Sequence, residues 1–201
     1  MKKNISSIFN QEAEAIQAIP TDQDFEGVVN LIYEKVHMKG GKVIVSGMGK
    51  AGQVANNIAT TFSATGTPAI FLHPSEAQHG DLGVIRENDV LIVLSNSGRT
   101  REILELVSLT HDLHATVPVV LITGNLVGEL VEKSIITLYT GKPEEVCPLG
   151  LTPSTSTTVM MVIGDALMVL LMTKIGFKAE DYAKRHHGGY LGEKSRNTAR
   201  K

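Results

Sequence analysis

The sequence predicts a doubly wound α/β fold, a three-layer α/β/α sandwich around a five-stranded parallel sheet. Short runs of β-branched and other apolar residues alternate along the chain with segments of helical periodicity. Strands that are apolar at consecutive positions are typical of a parallel sheet that helices cover on both faces. The 201 residues suit one such domain with a substantial core. The predicted strands cover residues 42–46, 68–72, 89–94, 118–123 and 135–139.

Two helical patterns precede the first strand. Apolar residues recur every three to four positions in both, and Pro20 ends the first pattern while Gly40-Gly41 ends the second. Ser154 or Thr155 is predicted to cap a long helix later in the chain. The predicted helices cover residues 8–19, 25–36, 51–64, 100–113, 155–175 and 179–185.

The chain divides into three parts on this pattern. We expect residues 1–40 to form helices that pack on the core and on an oligomer, and residues 41–192 to form the α/β domain. Residues 193–201 are locally basic and are expected to form a frayed tail.

The composition argues against several classes of protein. With 42% hydrophobic residues, 20% charged residues and a net charge of −2, nothing suggests a nucleic-acid partner. Cys147 is the single cysteine, and the N-terminus lacks the apolar segment of a signal peptide, which favours the cytoplasm. The most apolar segment, residues 159–172, contains Gly164 and Asp165 and is shorter than the ~20 residues that span a bilayer. We expect a buried core helix there and no membrane association.

The first predicted strand ends in a glycine-rich turn, Gly47-Met48-Gly49-Lys50. Glycines lack a Cβ and let the backbone approach a ligand closely, although a tight structural turn is the alternative. The spacing fits neither G-x-G-x-x-G, because Gly52 comes one place early, nor the Walker A motif. Lys50 favours the functional interpretation, because a cation at a helix N-terminus opposes the macrodipole and is stabilised by an anion.

The third predicted strand ends in Ser95-Asn96-Ser97-Gly98-Arg99-Thr100. Hydroxyls, an amide and the first N–H groups of a helix can converge there on one phosphate. The alternative is an ordinary Ser or Thr N-cap, but a cap needs one hydroxyl and this loop supplies three. Glu102, inside the first helical turn, is either a surface group that stabilises the helix dipole or a functional carboxylate beside the phosphate.

Two histidines and two carboxylates lie close together in sequence, at His73, Glu76, His79 and Asp81. Their spacing matches no standard zinc pattern, so we expect no metal and no other cofactor. Residues 141–153 form a long, poorly periodic loop, and loops of that length in compact domains are commonly functional.

These segments together resemble the SIS (sugar isomerase) domain family, which implies a flavodoxin-like doubly wound fold. The family resemblance rests on residues 47–50, 79–83 and 95–98. The stretch Glu145-Val-Cys-Pro-Leu-Gly-Leu-Thr-Pro-Ser-Thr-Ser-Thr157 is more specific, and with residues 164–166 and 186–189 it is similar to the arabinose-5-phosphate isomerase branch. The resemblance covers residues 41–192.

The resemblance implies which residues act on the substrate. The implied catalytic residues are Lys50, Glu102, Glu145 and His186, with His79 and His187 as secondary candidates. The implied substrate- and phosphate-binding residues are Gly49, Ser95, Asn96, Ser97 and Thr100. Arg99 stands where an acidic residue is common, and His187 stands where a proline is common, so the choice between His186 and His187 stays open. Many relatives carry a pair of CBS modules after this domain; without them, regulation is expected to act on the SIS domain itself.

The implied reaction interconverts D-ribulose 5-phosphate and D-arabinose 5-phosphate through an enediol, which in this branch supplies the precursor of Kdo for lipopolysaccharide. Glu145 is the preferred proton-transferring base, with Glu102 and His186 as alternatives. Lys50 would stabilise charge on the carbonyl oxygen. His186 suits ring opening of the cyclic aldose phosphate and, in this family, can come from a neighbouring subunit. We therefore expect a homotetramer with sites near the subunit interfaces.

Other functions stay open. Another SIS phosphosugar isomerase, such as 6-phospho-3-hexuloisomerase, would share the phosphate site, and a non-catalytic phosphosugar-binding module would bind without turnover. A SIS-type transcription regulator would need a helix-turn-helix domain, for which the segment before the first strand is too short. These residues do not indicate whether the reaction serves lipopolysaccharide, capsule or sugar-alcohol metabolism. They also do not indicate whether pathway end products inhibit it.

Overall fold

The computed structural model describes residues 4–199 and confirms the predicted sheet. Its five strands pair in parallel, in the order β2-β1-β3-β4-β5. Each strand begins one residue after its predicted start, so the apolar runs located the strands closely. The strands are β1 Val43–Gly47, β2 Ala69–Phe71, β3 Val90–Leu94, β4 Val119–Thr123 and β5 Ile136–Tyr139.

Helices connect these strands and cover the sheet. The helices are α1 Ile5–Gln17, α2 Phe25–Ile32, α3 Gly49–Ala64, α4 Pro74–Ala77, α5 Arg101–Leu113, α6 Glu129–Glu132, α7 Thr155–Lys174, α8 Ala179–Arg185 and α9 Gly189–Ala199. Helix α2 continues into a π-helical turn at Tyr33–Met38. The short helices α4 and α6 and the last helix α9 are absent from the sequence-based prediction.

Alternate residues of the central strands pack on opposite faces of the sheet. On one face, Val43 and Val45 of β1 join a core formed with α2, α3 and α7, against which α1 also packs. On the other face, Ile44 of β1 joins a second core formed with α4, α5 and α6. The three-layer α/β/α arrangement predicted from the sequence is therefore confirmed.

The connections from β1 and β3 leave the sheet in opposite directions. The chain passes from β1 through α3 to β2 at one edge, and from β3 through α5 to β4 on the other side. Gly47 at the end of β1 is in register with Leu94 at the end of β3. A crevice forms at such a switch point, outside the carboxyl ends of the strands, and this is where doubly wound folds bind ligands.

Helix α7, Thr155–Lys174, is the core helix that the sequence predicts over residues 155–175. By length and composition alone its 20 residues could cross a bilayer, whereas the apolar segment considered in the sequence, residues 159–172, is shorter. Packing assigns it to the core instead: Val159, Ile163 and Leu167 are fully buried. The backbone at Gly164 lies so close to α3 that a Cβ there would meet the Ile58 side chain at 2.5 Å.

Helices α8 and α9 pack on each other beyond the C-terminal end of α7. The expectation of a frayed tail from residue 193 was wrong for residues 193–199, which belong to α9. Ser195 is buried there and donates a hydrogen bond to the carbonyl of Gly192, while Leu191 and Ser195 line a small cavity shared with Tyr182 of α8. Residues 200 and 201 of the predicted tail lie outside the described residues.

Candidate active site

A cavity of about 250 Å³ lies at the switch point between β1 and β3. Its wall comes from three segments: the turn after β1, the loop after β3 and the start of α7. The N-termini of α3, α5 and α7 therefore meet at one place. Each helix start offers backbone N–H groups without intrahelical partners and the positive end of a dipole, so the cavity favours an anion. The lining residues are Met48, Lys50, Ala51, Leu94, Ser95, Asn96, Ser97, Thr100, Pro153, Ser156, Thr157 and Met160.

The hydroxyls of the loop after β3 form hydrogen bonds within the loop and do not cap α5. The Ser95 and Thr100 hydroxyls share a hydrogen bond of 2.8 Å, and the Ser97 hydroxyl accepts from the N–H of Arg99 at 3.2 Å. Thr100 occupies the N-cap position of α5, but its side chain makes no capping hydrogen bond. The simple N-cap interpretation of this loop is therefore not what the structure contains, and the start of α5 stays open toward the cavity.

The end of β4 fixes this loop in place. Gly124 donates its N–H to the carbonyl of Asn96 at 3.1 Å, and the Asn125 amide donates to the carbonyl of Ser97 at 2.9 Å. A Cβ at Gly124 would lie 2.5 Å from Oδ1 of Asn96 and 3.1 Å from its carbonyl oxygen, so a larger residue would displace the Asn96 side chain. Asn96 and Ser97 are themselves exposed to the cavity side. A loop held this firmly can bind a ligand without the entropic cost of becoming ordered.

The turn after β1 brings one ammonium group to the cavity. Gly49 begins α3 with φ of +57°, a conformation that favours glycine, and a Cβ at Gly52 would lie 2.6 Å from the carbonyl of Gly47. Gly49 itself is not among the lining residues, so its role is to shape the turn. Lys50 lines the cavity, is exposed and has no carboxylate partner among residues 4–199. An anionic ligand would supply the missing countercharge.

Glu102 is close in sequence to the cavity wall but is not one of the lining residues. It sits in the first turn of α5, two residues after Thr100, and it is half-buried. Its side chain makes no hydrogen bond or ion pair within the described part of the chain, whereas the exposed Arg101 beside it pairs with Glu105 at 2.7 Å. Arg99 is exposed and lines no part of the cavity. Glu102 is thus a carboxylate without a partner among residues 4–199, two residues after a residue of the cavity wall.

Glu145 lies behind the start of α7 and does not line the cavity. Its Oε2 accepts hydrogen bonds from the N–H of Ser154 at 2.7 Å, the hydroxyl of Ser154 at 3.0 Å and the N–H of Ser156 at 3.3 Å. Partial burial raises the pKa of the Glu145 carboxyl, but the hydrogen bonds from Ser156 and Ser154 outweigh it and leave the pKa below its usual range. The residue expected to be the base is therefore held ionised by a helix.

The C-terminal histidines do not reach the cavity of their own chain. His186 stacks on Tyr182 with ring centroids 3.8 Å apart, and its Nδ1 lies 3.1 Å from the carbonyl of Tyr182. His186 and His187 follow the C-terminal end of α7, whereas the cavity lies at the N-terminal end of that helix. A helix of 20 residues is about 30 Å long. His187 and His79 are exposed and line no part of the cavity.

Sequence reasoning missed Ser156 and Thr157, which the structure adds to the cavity wall. Ser156 is only 2% exposed, and the Thr157 hydroxyl donates to the carbonyl of Ser154 at 2.7 Å. The available signal was the run of hydroxyl residues around Pro153, directly before an apolar helix. Within residues 4–199, no three His, Cys, Asp or Glu side chains are clustered as metal ligands would be.

Comparison with known proteins identifies the domain family of the chain and its relatives. The SIS domain model matches residues 38–170. The arabinose 5-phosphate isomerase KdsD of Shigella flexneri is 46% identical over 173 residues, which cover 86% of this chain and 52% of that protein. The corresponding protein of Francisella tularensis is 41% identical over 193 residues, covering 95% of this chain and 58% of that protein. The chain thus spans about half the length of the curated relatives it matches.

Solved structures of similar length share the fold. One from Bacteroides fragilis, proposed to be a phosphosugar isomerase involved in capsule formation, is 55% identical with a TM-score of 0.91, and the match covers 92% of this chain and 97% of that one. The c3406 protein of Escherichia coli CFT073, solved in complex with arabinose 5-phosphate, is 34% identical with a TM-score of 0.81, covering 90% of this chain and 95% of that one. With this fold and a family model that matches most of its length, the chain belongs to the SIS domain family.

Proposed function

We propose that this chain is an aldose–ketose isomerase that interconverts D-arabinose 5-phosphate and D-ribulose 5-phosphate. The observation that carries the proposal is the cavity at the switch point, where three helix starts, three hydroxyl residues of one loop and one unpaired ammonium meet. A monophosphate suits this set of donors. The similarity to KdsD proteins and to a structure solved with arabinose 5-phosphate supports that sugar as the substrate.

The phosphate is assigned to the open start of α5. Ser95, Ser97 and Thr100 present hydroxyls there, the loop is already rigid, and the first N–H groups of α5 lack a side-chain cap. Asn96 adds an amide on the same side. Binding in this way uses neutral donors and a helix dipole, so it needs no metal ion.

Lys50 and Glu102 carry the proton-transfer chemistry in this proposal. A base removes the proton from C2 of the open-chain aldose, an enediol forms, and a proton is returned to C1 while the hydroxyl proton moves from O2 to O1. The ammonium of Lys50 stabilises the negative charge that develops on the carbonyl oxygen. Glu102, which follows Thr100 by two residues and has no partner among residues 4–199, is assigned the transfer between carbons.

His186 is assigned to the site of a neighbouring subunit, where it opens the cyclic aldose phosphate. Its distance from the cavity of its own chain supports this assignment, as α8 and α9 follow the far end of α7. An apolar groove of about 740 Å³ between α1 and α7, with Val169 and Leu170 exposed, supports a homotetramer. His79 and His187, both exposed, are the other imidazoles that a neighbouring subunit could present.

A cytoplasmic place in the synthesis of Kdo for lipopolysaccharide is part of the proposal, supported by the KdsD relatives. The similarity to a Bacteroides fragilis protein proposed to act in capsule formation makes capsule synthesis the second candidate. Both routes use the same reaction, so the enzymatic test does not depend on the choice between them.

The test is a substrate panel with the purified chain. Arabinose 5-phosphate, 3-hexulose 6-phosphate and a phosphoheptose are incubated separately, with and without EDTA, and products are followed by coupled detection. Formation of ribulose 5-phosphate from arabinose 5-phosphate alone, unaffected by EDTA, is the expected result. Turnover of another member of the panel instead would reassign the substrate, and binding of all three without turnover would make the chain a phosphosugar-binding module.

A further inference from the structure

The carboxylate of Glu145 does for α7 what an N-cap side chain usually does. Ser154 occupies the N-cap position, yet its hydroxyl donates to Glu145 and caps nothing. Glu145 Oε2 accepts from the N–H of Ser154 and from the N–H of Ser156, the second residue of the helix. An N-cap side chain satisfies the same helical N–H group, so Glu145 serves as the cap from a distant loop position.

The helix start that Glu145 holds is also a wall of the cavity. Ser156 and Thr157 line it, and Ser156 also donates its N–H to the carboxylate of Glu145. Glu145 itself lines a different cavity of about 440 Å³ on the side of α1. The first residue of the helix is fixed independently: the Thr155 hydroxyl donates to Glu12 of α1 at 3.0 Å and accepts from the N–H of Val146 at 3.1 Å.

We propose that Glu145 is a positioning residue, whose carboxylate holds Ser156 and Thr157 against the sugar, and that it does not transfer the substrate proton. A proton-transferring base must lie within hydrogen-bond reach of the carbon acid, but Glu145 lines the cavity on the side of α1 and its Oε2 is occupied by donors from Ser154 and Ser156. A fixed anion at the start of α7 also disfavours phosphate there, which directs the phosphate to α5 and the sugar to α7. This inference rests on the proposed isomerase function.

The test compares two substitutions of Glu145 that distinguish positioning of the α7 start from transfer of the substrate proton. Glu145→Gln keeps an acceptor oxygen for the N–H groups of α7 but cannot act as a base. Glu145→Ala removes the acceptor as well. Glu144→Gln is the matched control, because Glu144 is an exposed neighbour in the same loop and makes the same change in charge.

Three readouts are taken for each variant: kcat and KM with arabinose 5-phosphate, deuterium uptake from D₂O into the substrate, and affinity for D-arabinitol 5-phosphate and inorganic phosphate. Arabinitol 5-phosphate carries the phosphate and the hydroxyls but no carbonyl, so its binding does not need a base. Circular dichroism confirms that each variant is folded before it is assayed.

Positioning predicts that Glu145→Gln keeps kcat and deuterium uptake within about tenfold of the unsubstituted chain, because the loss of a general base costs ~10²–10⁴-fold. It also predicts that Glu145→Ala binds arabinitol 5-phosphate about five- to tenfold more weakly, the effect of about one lost hydrogen bond, and inorganic phosphate almost unchanged. Glu144→Gln should match the unsubstituted chain throughout.

Two results would overturn the inference. One is a Glu145→Gln variant that binds arabinitol 5-phosphate normally but loses turnover and deuterium uptake by about 100-fold or more. The other is a folded Glu145→Ala variant with unchanged affinity for arabinitol 5-phosphate. Failure of the unsubstituted chain to convert arabinose 5-phosphate is a separate outcome, which contradicts the proposed function before any variant is compared.

Discussion

The loop after β3 leads into α5, and the loop before α7 leads into α7. Both helix starts face the same cavity, but only the start of α7 is capped by a side chain from its loop. In the loop after β3, Ser95 and Thr100 bond each other and leave the start of α5 uncapped. In the loop before α7, Glu145 supplies an anion that accepts hydrogen bonds from the N–H groups of the N-cap residue Ser154 and of Ser156 in the helix. The difference teaches that two helix starts at one site are not equivalent. The start of α5 is free to bind an anionic ligand, whereas the start of α7 is already bound by the carboxylate of Glu145.

The largest expected effect concerns the cation beside the open helix start. Lys50→Ala should lower kcat by roughly 10²–10³-fold, since donors that meet charge developing in the transition state contribute about that much. KM for arabinose 5-phosphate should change far less. Steady-state kinetics measure both values, with Lys39→Ala as the control, because Lys39 is exposed and paired with Glu34 away from the cavity. An unchanged kcat in Lys50→Ala would remove the ammonium from the mechanism.

The second effect sharpens the contrast between the loops by deleting hydroxyls from each. The double variant Ser97→Ala, Thr100→Val should raise KM by about tenfold to 100-fold, at ~1 kcal/mol or more for each hydrogen bond to a charged phosphate. Ser154→Ala removes a hydroxyl from the capped helix start instead, and should change KM by less than about threefold while lowering the free energy of unfolding by ~1 kcal/mol. Equal increases in KM would show that the two helix starts bind the phosphate alike.

The third effect is a dependence of stability on pH. A carboxyl whose pKa is lowered on folding contributes stability above its unfolded pKa, and this contribution is lost as the pH falls through the folded pKa. Glu145 has such a lowered pKa: burial raises it, but the hydrogen bonds from Ser156 and Ser154 outweigh burial. Acidification from about pH 6 to about pH 3 should therefore destabilise the unsubstituted chain more than Glu145→Gln. Urea unfolding at several pH values measures this, and parallel curves for the two proteins would contradict it.

The smallest effect concerns Cys147, whose thiolate is a second anion that backbone N–H groups stabilise in the loop before α7. The N–H groups of Thr152 at 3.1 Å and Leu151 at 3.2 Å donate to its sulfur and lower the pKa of the thiol to about 7. Alkylation by iodoacetamide should rise with pH around a midpoint of about 7 in the folded chain. The urea-unfolded chain is the control and should show the midpoint of an ordinary thiol. The same midpoint in both states would argue against these hydrogen bonds.

The sequence predicts the strands and the loops after β1 and β3 more fully than it predicts the role of α7. Apolar runs located every strand, and parallel strands bring their carboxyl ends to one edge, so Lys50 and Ser95 could be placed together without a structure. The role of α7 could not be predicted in this way. The helix packs on α3 where Gly164 lies against Ile58, and this is a contact between residues distant in sequence.

Residues with two possible roles were the hardest to interpret from the sequence. Glu145 belongs to the motif that carries the family resemblance, but its position behind Ser156 depends on how the loop folds back on the helix start. His186 depends on where α8 and α9 end up relative to the cavity, and on a neighbouring subunit in the proposed assembly. Residues 193–199 looked like a polar tail, yet the burial of Ser195 holds them in a helix.

The most direct measurement is the position of the phosphate in a crystal structure of this chain with D-arabinitol 5-phosphate. The expected result places the phosphate oxygens within ~3 Å of the hydroxyls of Ser95, Ser97 or Thr100 and of the first N–H groups of α5, with the sugar hydroxyls toward Ser156 and Thr157. A phosphate bound at the start of α7, or bound outside this cavity, would contradict the distinction between the open and the capped helix start.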